Sequence, residues 1–325
     1  MDIARTAAAT ASLTATALGA VWLATGTHNP LDWPGRPFSS ALSVYPDDAA
    51  NGIFLGCVLV ALAAALWPRR APGHRWAVGA AIAALLALMD ASTLMAVGYL
   101  PATFIGPLFG LDEADSSLLL SPGLLLQVLL LATVAPFGAM AARRVRADGD
   151  LDRVTARTRR WTRIAIEAPL AYALTRVLMF FCVPGFDMAE FGDPMLWAGL
   201  GLAVSASLGA WLTCGLVRPW GEVFPRWLPG LRGRRVPIRL AVVPGLLVAV
   251  MVATAAKDGV QSLGDDGALT AITEWPLVTL PAFLWPLWAF ALAMATANYG
   301  IRRTLTEAET SPERDEVIST TVGRG

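Results

Sequence analysis

Four polar residues stand out inside the long apolar stretches of this chain, Asp90, Gln127, Glu167 and Arg176, and Thr254 falls at the level of three of them. Charge is expensive at membrane depth, so such residues are the first places to look for chemistry. Depth sorts them. Asp90 lies fourteen residues beyond Trp76, about 21 Å along a helix, and Arg176 lies fifteen beyond Trp161, about 22 Å. Gln127 is one turn inside the far end of its own stretch, and Thr254 falls at the same level. The spacing therefore puts Asp90, Gln127, Arg176 and Thr254 in one layer of the outer half. Glu167 stands apart, about 9 Å from the inner end of its stretch and nine residues from Arg176, on the opposite face. It can snorkel to the inner interface or meet an inner-loop arginine.

Three readings of the layer stay open. A buried Asp90–Arg176 ion pair would set helix register and stitch the two halves of the chain together. A binding or transport site open to the outside would use Arg176 to hold an anionic group, with Asp90 as its protonatable counter-charge. An enzyme would use Asp90 as a general acid in an apolar pocket, protonating an alkene of an isoprenoid or lipid as membrane-embedded terpene cyclases do. If Asp90 and Arg176 pair, replacing Asp90 with Asn strands the arginine.

Composition supplies the elements that must position these groups. The 325 residues are 55% hydrophobic and 15% charged, against about 25% charged in a soluble domain. The apolar residues fall in runs near the roughly 20 residues that span a bilayer as a helix. The runs cover residues 6–24, 52–67, 76–100, 123–142, 161–183, 195–217, 240–256 and 275–298. The first is rich in Ala and Thr and could be a signal peptide, but no small-x-small cleavage site follows it. The expected fold is an all-α integral membrane protein with eight transmembrane helices.

The connections alternate in charge. One side holds Arg69, Arg70 and Arg75, then eight arginines from Arg143 to Arg163, then Arg218, Arg226, Arg232, Arg234 and Arg235, and finally Arg302 and Arg303. The other holds Asp47 and Asp48, Asp112 to Asp115, Asp187 to Asp193, and Asp258 to Glu274, interrupted only by Arg36 and Lys257, the sole lysine. Positive connections mark the cytoplasm. The expected location is the inner (plasma) membrane, multi-pass, with both termini cytoplasmic. The layout also repeats: spans three and seven lead into acidic outer loops, and spans four and eight end in AMAARRVRA and AMATANYGIRR. Two parallel four-helix units follow, residues 1–147 and 148–303, with a polar tail without order at 304–325. Residues 148–163 read as a short helix continuous with the fifth span.

Much conventional chemistry has no motif here. No phosphate loop, nucleophile elbow or C-x-x-C is present, and no cofactor is implied. The two histidines, His28 and His74, do not suggest a metal site. Cys57, Cys182 and Cys214 read as small core residues. Zero net charge implies no nucleic-acid partner. The lipid bilayer is the expected partner. Residues 218–237, RPWGEVFPRWLPGLRGRRVP, interleave Trp220, Phe224, Arg226 and Trp227 with further arginines. That mixture suits the headgroup layer, as an anchor or as a dock for anionic lipids, and its prolines exclude one regular helix.

The same stretch, followed by IRLAVVPG, is similar to one common in uncharacterised polytopic membrane proteins of high-GC bacteria, whose single units resemble a four-helix domain of unknown function. Tyr172-Ala-Leu-Thr-Arg176, opening the second half, and the Trp-x-x-x-Gly of Trp22 and Gly26 fit the resemblance. VLMFFCVPG after Arg176 departs from it. The resemblance implies the tandem fold and no particular activity.

Overall fold

The computed structural model describes residues 3–32, 40, 42, 44–105, 121–144, 150–186, 192–226, 230–261, 270 and 272–322. Among them the chain is helical, and the one trace of β geometry is an isolated bridge between Val223 and Arg235. The acidic residues Asp112, Glu113, Asp115, Asp187, Glu190, Asp265 and Asp266 lie outside the described residues, as does Trp227.

The first ring is built from α1 (Ile3–Thr25), α2 (Asp47–Leu66), α3 (His74–Leu88) and α5 (Pro122–Arg144). Each packs against two of the others, α1 on α2 and α5, and α3 on α2 and α5. Small residues allow the close approach: Ala4, Ala8, Ser12, Ala15 and Gly19 form the buried stripe of α1. A Cβ on Gly19 would stand 3.0 Å from the Phe54 ring. Around that stripe Phe54, Val58, Leu85, Leu130, Val134 and Phe137 form the core. Helix α1 stops at Gly26, whose φ of +63° suits glycine, and the Thr27 N–H reaches back to the Trp22 carbonyl at 3.2 Å. Here the Trp-x-x-x-Gly spacing is a helix C-cap.

The second group comprises α6 (Leu151–Phe180), α7 (Gly192–Cys214), α8 (Ile238–Gln261) and α9 (Trp285–Val322). Helix α6 packs on α7 and α9, and α9 packs on α8. The Asp150 side chain caps α6 by accepting from the Asp152 N–H at 3.2 Å. As the sequence suggests, its first turns continue directly into the apolar part. Pro169 and Pro244 lie inside continuous helices, α6 and α8. A turn at Pro276–Thr279 and a 3-10 stretch at Leu280–Leu284 lead into α9. Beyond Thr304, where the sequence suggests a tail without order, α9 runs on to Val322. The Thr306 hydroxyl bonds the Arg302 carbonyl, and Arg303 and Glu307 pair across one turn at 3.5 Å.

Among the described residues six helices are long and apolar enough to cross a membrane, α1, α2, α5, α7, α8 and α9, or seven if the bent pair His74–Leu88 and Ser92–Gly98 counts as one span. They suit a membrane-embedded protein, and large apolar side chains such as Leu59, Leu125, Leu208, Trp211 and Phe290 are exposed on them. Helix α6 carries Arg163, Glu167 and Arg176 and falls outside that set.

The third expected span is not one helix. It bends by 68° between α3 and α4 (Ser92–Ile105). Beyond the bend α4 keeps its contact with α5 of the first ring and packs on α8 and mainly on α7. Gly98 makes this contact possible: Leu202 occupies the space a side chain there would need, and the Ser205 hydroxyl donates to the Gly98 carbonyl at 3.1 Å.

Candidate functional site: a clamped helix break

The break falls at Met89, Asp90 and Ala91. No proline causes it. Met89 is extended, with φ −79° and ψ 151°, and the Asp90 carboxylate takes the Ser92 N–H at 2.9 Å. An aspartate that bonds the backbone two residues on competes with helix continuation. The interruption leaves carbonyls at the end of α3 and N–H groups at the start of α4 without helical partners.

Side chains from two other helices satisfy them. The Lys257 ammonium, near the end of α8, donates to the Met89 carbonyl at 2.6 Å and the Ala87 carbonyl at 3.4 Å. The next residue, Asp258, accepts the Ala91 N–H at 2.7 Å. Gln127, from the second turn of α5, accepts the Asp90 N–H at 3.3 Å. Lys257 and Asp258 also pair at 3.2 Å. The cation thus meets the negative end of α3 and the carboxylate meets the positive end of α4, the arrangement the helix dipoles favour. The setting is nearly dry: Asp90 and Gln127 are fully buried, and the Lys257 and Asp258 side chains keep 25% and 12% exposure.

Depth reasoning holds for Asp90 and Gln127, which meet. Thr254 stands one turn from Asp258 on α8, buried, with its hydroxyl bonded to the Met251 carbonyl at 2.8 Å. Arg176 is elsewhere. Its guanidinium lies 4.8 Å over the Tyr172 ring and its Nη1 reaches the Met179 sulfur at 3.1 Å. No ion pair joins it to Asp90, so replacing Asp90 does not strand it. Equal height along two helices says nothing about which way each face points, and α6 turns Arg176 toward α7, where its stem runs beside Gly199. Glu167 meets an inner arginine as expected, pairing with Arg163 at 2.7 Å on an exposed face.

Lys257 and Asp258 are the residues the sequence reading missed. The signal was there: the only lysine stands on the acidic side of the chain, within one helical turn of an apolar run. It is no loop residue but the last polar turn of α8. Among the described residues no group of His, Cys, Asp and Glu could hold a metal ion. The cysteines are free, and Cys182 is exposed rather than core, sitting past the end of α6 with φ +47°.

The described residues of the 218–237 segment, 218–226 and 230–237, form a cap over the arginine-rich end. Backbone bonds link Phe224 with Arg234 and Gly233, and Val236 with Glu222. The cap is tied to α9. The Tyr299 hydroxyl donates to the Gly221 carbonyl at 2.7 Å, Arg302 pairs with Glu222 at 2.7 Å, and Arg303 donates to the Val236 carbonyl at 3.3 Å. Half-buried Trp220 stacks on the exposed Trp211 at 5.2 Å. Phe224 is half-buried and Arg226 exposed, with Arg232, Arg234 and Arg235 beside it on the open face.

Compared with known proteins, the chain matches no family model, no curated protein and no solved structure.

Proposed function

We propose that this chain is a multi-pass inner-membrane protein that binds or transports a small anionic or lipid-like molecule through a polar site in its outer half. It has eight spans in two parallel four-helix units, 1–147 and 148–303, with both termini cytoplasmic. The α3–α4 pair counts as one broken span. Helix α6 counts as another, its Arg163–Glu167 pair at the inner end and Arg176 turned toward α7. The open arginines of the cap face anionic headgroups.

One observation supports the reading: an apolar helix interrupted at Met89–Ala91 whose freed backbone groups are held by side chains. In hydrocarbon an interrupted helix survives only where such groups are satisfied. Side-chain bonds from Lys257, Asp258 and Gln127 can be exchanged for a ligand's, and interrupted helices are where carriers place their sites.

Accessibility tests it without knowledge of the substrate. In a chain with Cys57, Cys182 and Cys214 replaced, Thr93→Cys is treated with a membrane-impermeant maleimide from either face of the membrane. A carrier is labelled from both faces. Labelling from one face alone would leave binding and remove transport. No labelling from either face would leave a static structural joint and sink the reading.

A further inference from the structure

We infer that Arg176 and Trp285 form a second site, built to hold the carboxylate of a monoanionic acid with an apolar tail. The inference deepens the proposed function by naming a ligand class, and it rests on that reading in taking α6 to lie within the membrane.

Among the described residues no carboxylate pairs with Arg176, an arginine in an apolar bundle. One face of its guanidinium is covered by the Tyr172 ring at 4.8 Å. Its Nη1 is spent on the Met179 sulfur, a weak acceptor. Its Nε is buried with no hydrogen-bond partner. An intramembrane arginine normally finds an acid or a backbone carbonyl. The Trp285 indole N–H is a second buried donor without a partner, and the Trp285 ring packs edge-on against the same Tyr172 at 5.2 Å. Two unanswered donors thus flank one tyrosine, contributed by α6 and α9.

The chemistry of the missing acceptor follows. The guanidinium fork is planar and matches two oxygens held in a plane, as in a carboxylate. A single cation neutralises a monoanion, whereas a buried dianion such as phosphate would keep an uncompensated charge. The walls are apolar: Val177 and Leu202 pack beside Tyr172 and Trp285, and Val278 packs on Met179. A short hydrophilic acid would leave those walls unused; an alkyl tail would cover them. The acid can come from water or from the bilayer, since the two share this headgroup.

The test uses the full chain in lipid nanodiscs, titrated with [1-13C]octanoate, [1-13C]acetate and inorganic phosphate, with empty discs as the blank. Octanoate is expected to give a saturable bound carboxyl signal. Acetate should bind about tenfold or more weakly for want of the tail, and phosphate should not compete. Acetate binding as tightly as octanoate would mean an acid taken from water with no use for a tail, and would overturn the tail assignment. Arg176→Gln should abolish the signal, Arg176→Lys should weaken it by about tenfold through loss of the fork, and Trp285→Phe should weaken it several-fold. Retained melting temperature in Trp285→Phe separates lost binding from lost folding. No saturable octanoate signal, binding unchanged in both Arg176→Gln and Trp285→Phe, or displacement by phosphate would overturn the assignment. Octanoate binding can persist when Thr93→Cys stays unlabelled, so failure at the break and failure here are told apart.

Discussion

The third helix of each half makes an instructive pair. In the first half it is α3, which stops at Leu88 and resumes as α4 after a 68° bend. In the second it is α8, which runs unbroken from Ile238 to Gln261. The polar residues of the intact helix complete the broken one: Lys257 and Asp258 of α8 bond the groups that α3 and α4 leave open. The same break carries α4 from α5 of its own ring onto α7 and α8. Two halves with similar hydropathy are therefore not equivalent. One lends a half-helix and the other lends Lys257 and Asp258, so the two are joined at the break.

Breaking the clamp should have the largest effect. Lys257→Met leaves Asp258 without its cation and two carbonyls without a donor. Losing one partner of a buried pair costs about 3–5 kcal/mol, and a large drop in melting temperature in nanodiscs should show it. Asp258→Asn keeps an oxygen for the Ala91 N–H and loses only the charge, so about 1–3 kcal/mol is expected. If the two residues act as one unit, the double variant costs less than the sum of the singles in a double-mutant cycle. Strict additivity would mean that they serve the break separately.

Gln127→Leu sharpens the comparison from the α5 side. It removes the acceptor for the Asp90 N–H, and a buried N–H left alone costs about 1–3 kcal/mol. Gly98→Ala probes where α4 enters the second half. The added methyl meets Leu202, a flexible end, so a loss at the lower end of about 1–3 kcal/mol is expected, read as a fall in melting temperature. Arg163→Gln, far from the break on an exposed face of α6, should leave the melting curve unchanged.

Six of the eight expected runs were legible as long apolar helices because hydropathy is a coarse signal that survives any detail of packing. The sequence put Asp90 and Gln127 at one level, and their contact, from the Asp90 backbone N–H to the Gln127 side chain, was not foreseen. The Asp90–Arg176 pair failed on azimuth: rotation about a helix axis is set by packing, which α6 settles against α7. The break itself carried no proline or glycine. It comes from an aspartate that bonds its own backbone, together with a lysine 168 residues away that accepts the consequences. Such a feature depends on two distant segments at once, and neither announces it alone. Lys257 stood out only as an exception to the charge pattern, and the exception was the clue.

The most direct measurement exploits that single lysine. With Nζ-15N lysine and carbonyl-13C methionine in lipid-embedded protein, the Nζ of Lys257 gives one resonance. Its dipolar coupling to the Met89 carbonyl can be read by rotational-echo experiments, with Met89→Leu removing the partner spin. A clamped break, with Nζ 2.6 Å from the Met89 oxygen, gives strong dephasing that vanishes in Met89→Leu. A mobile, solvated lysine signal without dephasing would contradict the clamp and, with it, the joining of the two halves at that point.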